Sequence, residues 1–168
     1  DNGAKDEARV LAGGKGDLYE AGIRVPMIVR GPGVPAGEVL RAPVCGFDLY
    51  PTFLEWAGFE GELPPELEGD SLAALLAGEA GEVARARPFL AFHFPHYQGK
   101  GGPQSALIQG DWKLLHLYEG DRVELYDLAS DPGERRDLAA EEPELAARLD
   151  ALLVEHLAAS GARLPKAN

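Results

Sequence analysis

The pattern of hydrophobic and polar positions changes near residue 88. Before that point, residues 3–22 are rich in glycine, lysine and acids without a clean period, so they predict a loop. Residues 25–30 then form a short apolar run closed by Gly-Pro-Gly. Such a run is typical of a strand buried on both faces, as in a parallel sheet. A strand of this kind needs neighbours, and the chain offers few before it.

Two helices are predicted in the segment that follows. Residues 48–57 have a broad apolar face, with Asp48 in position to cap the helix and Gly58 in position to end it. A shorter helix fits residues 71–77, with Asp70 as its cap. An acidic, proline-broken connection separates the two.

After residue 88 the chain predicts a small sheet covered by one helix. Leucines at helical spacing predict an amphipathic helix over residues 145–157 that ends near Gly161. Before it, β-rich runs separated by Gly-Asp and Glu-Gly-Asp turns favour an antiparallel meander. These runs are 89–94, 105–109, 113–118 and 122–128.

Charge narrows the choice of partners. The 168 residues carry a net charge of −12, and all of it lies after residue 41, because the first 41 residues hold equal numbers of cations and acids. An acidic surface of this kind repels nucleic acid and anionic lipid, so neither is expected as a partner. No run approaches the length of a membrane span. An anionic small molecule is expected only where cations are concentrated, in the first forty residues.

The first candidate for chemistry is Asp1-Asn2-Gly3. Asn-Gly is a common turn dipeptide, because both residues tolerate a positive φ. A carboxylate beside an amide oxygen is also a pair of hard ligands suited to Ca²⁺ or Mg²⁺. Spacing alone favours the turn.

The second candidate is Lys15, which glycines flank at positions 13, 14 and 16. A phosphate-binding Walker loop is excluded, because Arg9 stands where that motif needs glycine and Gly16 stands where it needs serine or threonine. The dinucleotide-binding fingerprint fails as well, since no strand precedes the glycines. Glycines nevertheless leave room for a lysine ammonium to approach a tetrahedral oxyanion as a point charge.

Taken in order, these segments resemble the sulfatase family along essentially the whole chain. Family members carry Ser/Thr-Asp-Asn-Gly, followed by Gly-Gly-Lys-x-x-x-x-Glu-Gly-Gly-x-Arg-Val-Pro. The chain has DNG at the start and GGKGDLYEAGIRVP at 13–26, where Ala21 replaces the first glycine after the glutamate. Later GDWKL, ELYDL and DPGE segments are similar to the family's C-terminal subdomain.

The resemblance implies a role for particular residues. Asp1 and Asn2 match the family's divalent-metal ligands, usually for Ca²⁺ with Mg²⁺ as the alternative, and Lys15 matches the lysine that contacts sulfate oxygens. The implied substrate is a sulfate-ester small molecule or a sulfated sugar. The metal and the cations would stabilise charge on the sulfuryl oxygens. A periplasmic or secreted location is compatible with the family, and the residues alone leave the compartment open.

The family's nucleophile is a formylglycine made from Cys or Ser in a C/S-x-P-x-R motif, and the chain lacks that motif. Cys45 has neither the proline nor the arginine, and the four serines fail the same test. We therefore interpret Cys45 as a small, buried apolar residue. The nucleophile is expected in an upstream portion of the same protein, and the chain alone is expected to be inactive.

The third candidate is the pair His93 and His96, which precedes a glycine-rich stretch. In one interpretation, the two imidazoles are polar groups at the surface end of an aromatic strand. In the other, they belong to a loop over the substrate, where one imidazole contacts a leaving group or a sugar hydroxyl. We interpret Glu20 and Arg24 as structural. Glu20 would orient the loop that carries Lys15, and Arg24 would pair with an upstream carboxylate.

The predicted fold is α/β: the C-terminal part of an alkaline-phosphatase-like α/β sandwich (1–85), followed by a C-terminal α+β subdomain (86–168) with an antiparallel sheet of about four strands and one helix. The predicted function is that of a fragment of a sulfuric ester hydrolase. The alternatives are a fragment of a related phosphate-ester or phosphonate hydrolase, and a stand-alone, non-catalytic module. The last requires a self-contained core, against which the lone strand at 25–30 argues.

Overall fold

The computed structural model describes residues 10–97 and 101–166. Helices and strands occur in the order α1 (Glu20–Ile23), a 3₁₀ turn (Gly46–Asp48), α2 (Leu49–Trp56), α3 (Ala73–Leu76), β1 (Leu90–Phe94), β2 (Gln104–Gln109), β3 (Trp112–Leu117), β4 (Arg122–Asp127) and α4 (Pro143–Ala159). Within these ranges no helix has the length and apolar character that a membrane crossing requires.

The described residues form two compact units. The first combines the described parts of residues 1–26 and 91–168, and the second comprises residues 27–90. The lysine-bearing segment therefore packs with the C-terminal sheet rather than with the chain that directly follows it. The sequence-based boundary between residues 85 and 86 concerns the domain order of a longer protein and stays a prediction.

The first unit is built on a four-stranded sheet in the order β1-β2-β3-β4, so the predicted meander is confirmed. β2 pairs antiparallel with β3, and β3 pairs antiparallel with β4. The β2–β3 turn contains two residues, because Gln109 lies opposite Trp112. Its first residue, Gly110, has a φ of +59°, which a two-residue hairpin turn of this kind demands at that position.

Each face of this sheet is covered by a different segment. Because side chains alternate along a strand, the registers place Ala106, Leu115 and Glu124 on one face, which we name the loop face, and Leu107, Leu114 and Leu125 on the other, which we name the helix face. The loop face packs against Leu18, with Tyr19 and Ile23 at the edge of the cluster. Helix α4 contacts β2, β3 and β4 on the helix face.

Helix α4 forms where the leucine spacing predicts it. Pro143 occupies its first turn, where a missing amide hydrogen costs nothing. Leu149, Leu153 and Leu157 recur every four residues and are all buried against the sheet, each contributing about 2 kcal/mol of hydrophobic free energy. The helix ends at Ala159, and Gly161 takes the left-handed conformation with a φ of +65°.

In the second unit, helix α2 forms as predicted but the predicted cap is wrong. The Asp48 side chain makes no capping bond to α2, since Asp48 itself has helical dihedrals rather than the extended ones of a cap. It takes part instead in a capping box with Cys45 at the preceding 3₁₀ turn. The carboxylate is instead fully buried, pairs with Arg85 and accepts the amide hydrogens of Cys45 (2.7 Å) and Asp70 (3.2 Å). Leaving a buried carboxylate without a cation costs more free energy than leaving a helix without a cap, so the Asp48 carboxylate pairs with Arg85.

Helix α3 is also shorter than predicted. It begins at Ala73, two residues late, and its cap position is Leu72 rather than Asp70. The Asp70 side chain accepts the amide hydrogen of the next residue, Ser71, at 2.7 Å. This local bond holds the first predicted turn open.

The predicted buried strand at residues 25–30 is wrong for this chain. These residues form no strand, and the side chain of Ile28 is 94% exposed. The sheet within the described residues consists of β1–β4, and none of these strands pairs with the segment. The apolar run is present, but a strand forms only where a neighbour provides hydrogen-bonding groups.

Residues 25–63 display many large apolar side chains to solvent. Trp56 of α2 is 48% exposed, whereas Trp112 of β3 is half-buried. The exposed set is Val25, Met27, Ile28, Val39, Leu40, Phe47, Tyr50, Phe53, Trp56, Phe59 and Leu63. A surface this apolar associates with other surfaces in water.

We therefore expect the 168-residue chain to self-associate. Light scattering coupled to size-exclusion chromatography should show species larger than the monomer at micromolar concentration. Replacing Ile28 and Val39 by serine should raise the monomer fraction, because both side chains are almost fully in solvent. A compact monomer with a sharp cooperative melt would contradict this expectation and favour a stand-alone module.

Candidate functional site

Lys15 stands at the corner of a tight turn. The amide hydrogen of Asp17 donates to the Gly14 carbonyl at 2.9 Å, which leaves Lys15 and Gly16 as the two central residues. Gly16 has a φ of +94°, as the third position of a type II turn requires. The Lys15 side chain is exposed. We name residues 13–17 the lysine loop.

The lysine loop rests directly on helix α1. A Cβ atom built on Gly22 would lie 2.0 Å from the Asp17 carbonyl oxygen and 2.6 Å from that of Gly14. Only glycine fits there, so the turn that carries Lys15 and the helix behind it are in backbone contact. The neighbouring Ala21, which stands where the family usually has glycine, is buried.

Behind α1 lies a cluster of three charges that we name the buried triad: Glu20, Lys113 and Glu134. The Lys113 side chain is 0% exposed. Its Nζ atom lies 3.0 Å from Glu20 Oε1 and 2.7 Å from Glu134 Oε1. The other Glu134 oxygen accepts the Glu20 amide hydrogen at 2.6 Å. The second Glu20 oxygen lies 3.3 Å from the half-exposed Arg24 guanidinium.

Glu134 is unusual in both its pKa and its backbone conformation. Burial raises the pKa of its carboxyl, and the positive charge of Lys113 opposes that rise without cancelling it. Its backbone has a φ of +52°, a left-handed conformation that costs a residue with a side chain about 1–2 kcal/mol. Such a conformation persists where the surroundings determine it strongly. Here the surroundings are the ion pair with Lys113 and the bond from the Glu20 amide.

A second support joins Tyr19 to β4. The hydroxyls of Tyr19 and Tyr126 both donate to Glu124 Oε2, at 2.6 Å and 2.8 Å, and Arg122 pairs with the other oxygen. Burial, together with the nearby Glu124 carboxylate, raises the pKa of both tyrosine hydroxyls. Neutral hydroxyls that donate to a carboxylate are the stable state here.

A third support joins Leu18 to β2. The Leu18 amide hydrogen donates to Gln104 Oε1 at 3.1 Å, and the Leu18 side chain packs with Ala106, Leu115 and Tyr126. Residues 18, 19 and 20 therefore bind β2, β4 and β3 in turn. Three consecutive residues attached to three strands leave the preceding turn little freedom.

The structure brings some predicted residues together and separates others. Glu20 is buried and pairs with Lys113 and Arg24, and its role in capping or orienting the lysine loop stays a prediction. Arg24 pairs with Glu20 within this chain, where an upstream carboxylate was expected. Asp1 and Asn2 lie outside the described residues. Among residues 10–97 and 101–166, no group of three or more His, Cys, Asp or Glu side chains could hold a metal.

His93 lies on the helix face, opposite the lysine loop. Its Nε2–H donates to the Arg163 carbonyl at 3.0 Å, so the neutral ring has Nδ1 free to accept from the Ser105 hydroxyl at 2.7 Å. Ser105 Oγ in turn lies 2.9 Å from the Tyr118 hydroxyl. His93 therefore joins Ser105 of β2 to the chain that follows α4.

His96 follows β1 and is exposed, with its ring edge-on to Phe94 at 5.3 Å. His116 lies in β3, and its Nδ1–H donates to Asp150 Oδ1 of α4 at 2.7 Å. The contact roles predicted for His93 and His96 stay predictions.

The comparison with known families decides what this arrangement belongs to. The C-terminal domain described as that of N-sulphoglucosamine sulphohydrolase matches residues 14–160, from the lysine loop to the end of α4. The chain belongs to the sulfatase family. Cys45, the free cysteine of the described residues, is half-buried in a stretch that is not the family's nucleophile motif.

Individual relatives agree with this assignment. The chain is 37% identical over 139 residues to a sulfatase of Formosa agariphila, covering 77% of this chain and 25% of the relative. It is 36% identical over 142 residues to arylsulfatase K of Mus musculus, covering 81% of this chain and 25% of the relative. The chain thus spans about a quarter of the length of these curated relatives.

Solved structures agree on the fold. BT4656, solved in complex with its substrate D-glucosamine-2-N,6-O-disulfate, matches with a TM-score of 0.51 and 32% identity over 66% of this chain and 23% of its own. A phosphonate monoester hydrolase from Silicibacter pomeroyi matches with a TM-score of 0.63 and 28% identity over 85% of this chain and 30% of its own. The α/β class with the alkaline-phosphatase-like fold is confirmed.

Sequence reasoning missed the residues that support the site in this sulfatase chain: Gln104, Lys113, Glu124 and Glu134. A signal was available for two of them. Lys113 and Glu124 are charged residues between apolar neighbours of β3 and β4, and on the buried face of a sheet a charge requires a partner. Pairing a lysine in β3 with a glutamate 93 positions earlier requires the structure.

The two raised tyrosine pKa values predict a loss of stability at high pH. In the unfolded chain a tyrosine ionises from its ordinary value of 10.0, whereas Tyr19 and Tyr126 keep their protons in the folded chain. The stability they contribute is complete below pH 10 and falls as the pH rises further. Urea unfolding at about pH 9 and about pH 11 should show the decline, and Tyr126→Phe should flatten it. An equal decline in the variant would contradict the assignment.

Proposed function

We propose that this chain supplies the sulfate-binding part of a sulfuric ester hydrolase, with Lys15 as the cation that contacts a sulfuryl oxygen. The observation that carries the proposal is the placement of Lys15 at an exposed turn whose base is attached to three strands. Membership of the sulfatase family supports it.

A lysine on such a turn suits the chemistry. Negative charge builds on the oxygens of a sulfuryl group as the ester bond breaks, and a fixed positive charge lowers the energy of that state. The benefit depends on the charge being in place before reaction. Glycines on both sides let the ammonium approach, while the attachment of residues 18–20 fixes the turn behind it.

Asp1 and Asn2 are proposed as two oxygen ligands of a divalent metal, Ca²⁺ or alternatively Mg²⁺. A carboxylate and an amide oxygen fit a hard cation, and two donors are fewer than the six to eight that Ca²⁺ takes. The remaining ligands would come from other parts of the protein. When bound, the metal supplies charge stabilisation for the sulfuryl oxygens.

The nucleophile is proposed to lie upstream in the same protein. No C/S-x-P-x-R sequence occurs in the chain, and a formylglycine made from that motif is what a sulfatase requires. The chain by itself is therefore proposed to be inactive.

The substrate is proposed to be a sulfate ester, with a sulfated sugar as the favoured class. Two observations support this: BT4656 binds a sulfated glucosamine as its substrate, and the matching C-terminal domain is described by a sulfated glucosamine as well. His96 is proposed as the histidine that contacts a substrate hydroxyl, and its exposure after β1 supports this. Both nitrogens of His93 already have partners within the chain.

A phosphonate ester is the second candidate substrate. The structural likeness to a phosphonate monoester hydrolase supports it, because a lysine and a metal suit a phosphoryl group equally well. The complete enzyme should hydrolyse 4-nitrophenyl sulfate with a higher kcat/KM than 4-nitrophenyl phenylphosphonate. The opposite order would transfer the protein to the second candidate.

The role of Lys15 predicts a large effect on turnover. In the complete enzyme, Lys15→Ala should lower kcat/KM for 4-nitrophenyl sulfate by roughly 100- to 1,000-fold, the effect of removing one preorganised charge-stabilising group. Lys166→Ala, at another exposed lysine of the same unit, is the matched control and should leave turnover unchanged. Turnover near wild type in Lys15→Ala would remove Lys15 from the site.

The role of Asp1 predicts weaker metal binding. Calorimetric titration of the metal-free complete enzyme with Ca²⁺ should show reduced affinity in Asp1→Ala, because one charged ligand is lost. Asp111→Ala, at an exposed turn, is the control for a general loss of negative charge. An unchanged titration in Asp1→Ala would exclude Asp1 as a ligand.

The coding sequence that precedes Asp1 in its native context tests the upstream part of the proposal. A C/S-x-P-x-R motif there would supply the missing nucleophile. A threonine or unmodified serine nucleophile without that motif would favour a hydrolase of phosphate esters. A true start directly before Asp1 would contradict the catalytic proposal.

A further inference from the structure

We propose that Lys113 and Glu134 are positioning residues of the sulfatase site, which act on the substrate through Lys15. The inference rests on the proposed function, since it assumes that Lys15 contacts the sulfuryl group. It adds a second task to the C-terminal sheet: besides forming the core of its unit, the sheet sets the direction in which Lys15 points.

Lys113 is connected to Lys15 through Glu20, helix α1 and the backbone of the turn. Lys113 Nζ binds Glu20 Oε1 at 3.0 Å, and Glu20 is the first residue of α1. Gly22 of that helix is in backbone contact with the carbonyls of Gly14 and Asp17. Those carbonyls bracket the turn whose corner is Lys15. A shift of Glu20 is therefore transmitted to the turn.

Glu134 fixes the same point from a second direction. One of its oxygens binds Lys113 and the other accepts the Glu20 amide hydrogen at 2.6 Å. Side chain and backbone of Glu20 are thus held by two different residues. This explains why Glu134 is kept in a left-handed backbone conformation that an unconstrained glutamate avoids.

Stability alone does not account for three buried charges at this place. Apolar side chains of similar size commonly stabilise a protein as well as a buried ion pair does, because desolvation offsets the attraction. Charged hydrogen bonds differ from apolar contacts in being directional and short in range. What the buried triad adds to packing is a defined position for Glu20, and through it for the lysine loop.

A residue with a merely structural role predicts a different outcome from a positioning residue. If Lys113 only stabilises the unit, its loss lowers activity by the same factor whether or not Lys15 is present. If Lys113 acts through Lys15, its loss has little effect once Lys15 is gone. The two roles are separated by a double-mutant cycle.

The cycle uses the complete enzyme, with 4-nitrophenyl sulfate as substrate and inorganic sulfate as a competitive inhibitor. Lys113→Met keeps the length of the side chain and removes its charge. In the wild-type background it should lower kcat/KM on the order of 100-fold, the cost of a displacement of about 1 Å at a site of chemistry, and should weaken sulfate inhibition. In the Lys15→Ala background it should lower kcat/KM less than threefold.

Leu153→Ala is the matched control. It weakens the same unit from the helix face and touches no residue of the buried triad. Its effect on kcat/KM should be the same factor in both Lys15 backgrounds. Glu134→Gln is the second variant for the case that Lys113→Met does not fold, because it keeps an acceptor for the Glu20 amide hydrogen. It should show the same dependence on Lys15 with a smaller loss.

The outcomes separate the inference from the function on which it rests. If Lys15→Ala leaves turnover intact, the proposed role of Lys15 fails whatever Lys113 does. If Lys15→Ala lowers turnover but Lys113→Met does not, or lowers it by equal factors in both backgrounds, Lys113 is structural and the inference is overturned. A large loss confined to enzymes that retain Lys15 supports it.

Discussion

A lysine with no solvent exposure must keep its partners, and this constraint organises the first unit of the molecule. Lys113 is surrounded by the carboxylates of Glu20 and Glu134. Removing one member of a buried pair costs about 3–5 kcal/mol, because the remaining charge has no water to solvate it. Such a cost is a large part of the stability of an ordinary domain. Residues 18–20 therefore lie on the loop face whenever the sheet is folded.

The two faces of the sheet consequently have different tasks. On the helix face, leucines of α4 bury the apolar side chains of the central strands, and His93, Ser105 and Tyr118 hold the chain after the helix. On the loop face, charges and tyrosine hydroxyls replace much of the apolar packing. A face that must support a polar site is built from directional contacts, whereas a face that only closes the core is built from leucine.

Strands β1–β4 and helix α4 could be predicted because their signals are local: β-rich runs separated by turn residues, and leucines at helical spacing. Lys15 could be singled out because its glycines and the segment after it resemble a known family. The strand at 25–30 was wrong, since an apolar run does not contain the partner that makes it a strand. The predicted Asp48 cap was wrong, because the Asp48 carboxylate pairs with Arg85, which lies 37 residues away in the sequence.

The buried triad and the sheet face on which His93 lies could not be predicted from the local sequence either, because both depend on contacts between distant residues. Lys113 and Glu124 stand out in their strands, but only the register of β3 and β4 shows that they share a face with Leu115 and Tyr126. The site therefore could be located at Lys15, while its supports could not. What a pattern within ten residues determines is predictable; what a contact across a hundred residues determines is not.

The bond from the Glu20 amide to Glu134 joins residues 114 positions apart, and this separation has a consequence for the order of synthesis. The lysine loop is made before all of its supports, because the last of them, Glu134, leaves the ribosome only after β4 is complete. Until then Leu18 and Tyr19 have no sheet to pack against, and the nascent chain exposes them to chaperones and proteases. Long-range closure of this kind also slows folding. The turn bearing Lys15 is thus synthesised well before the contacts that order it can form.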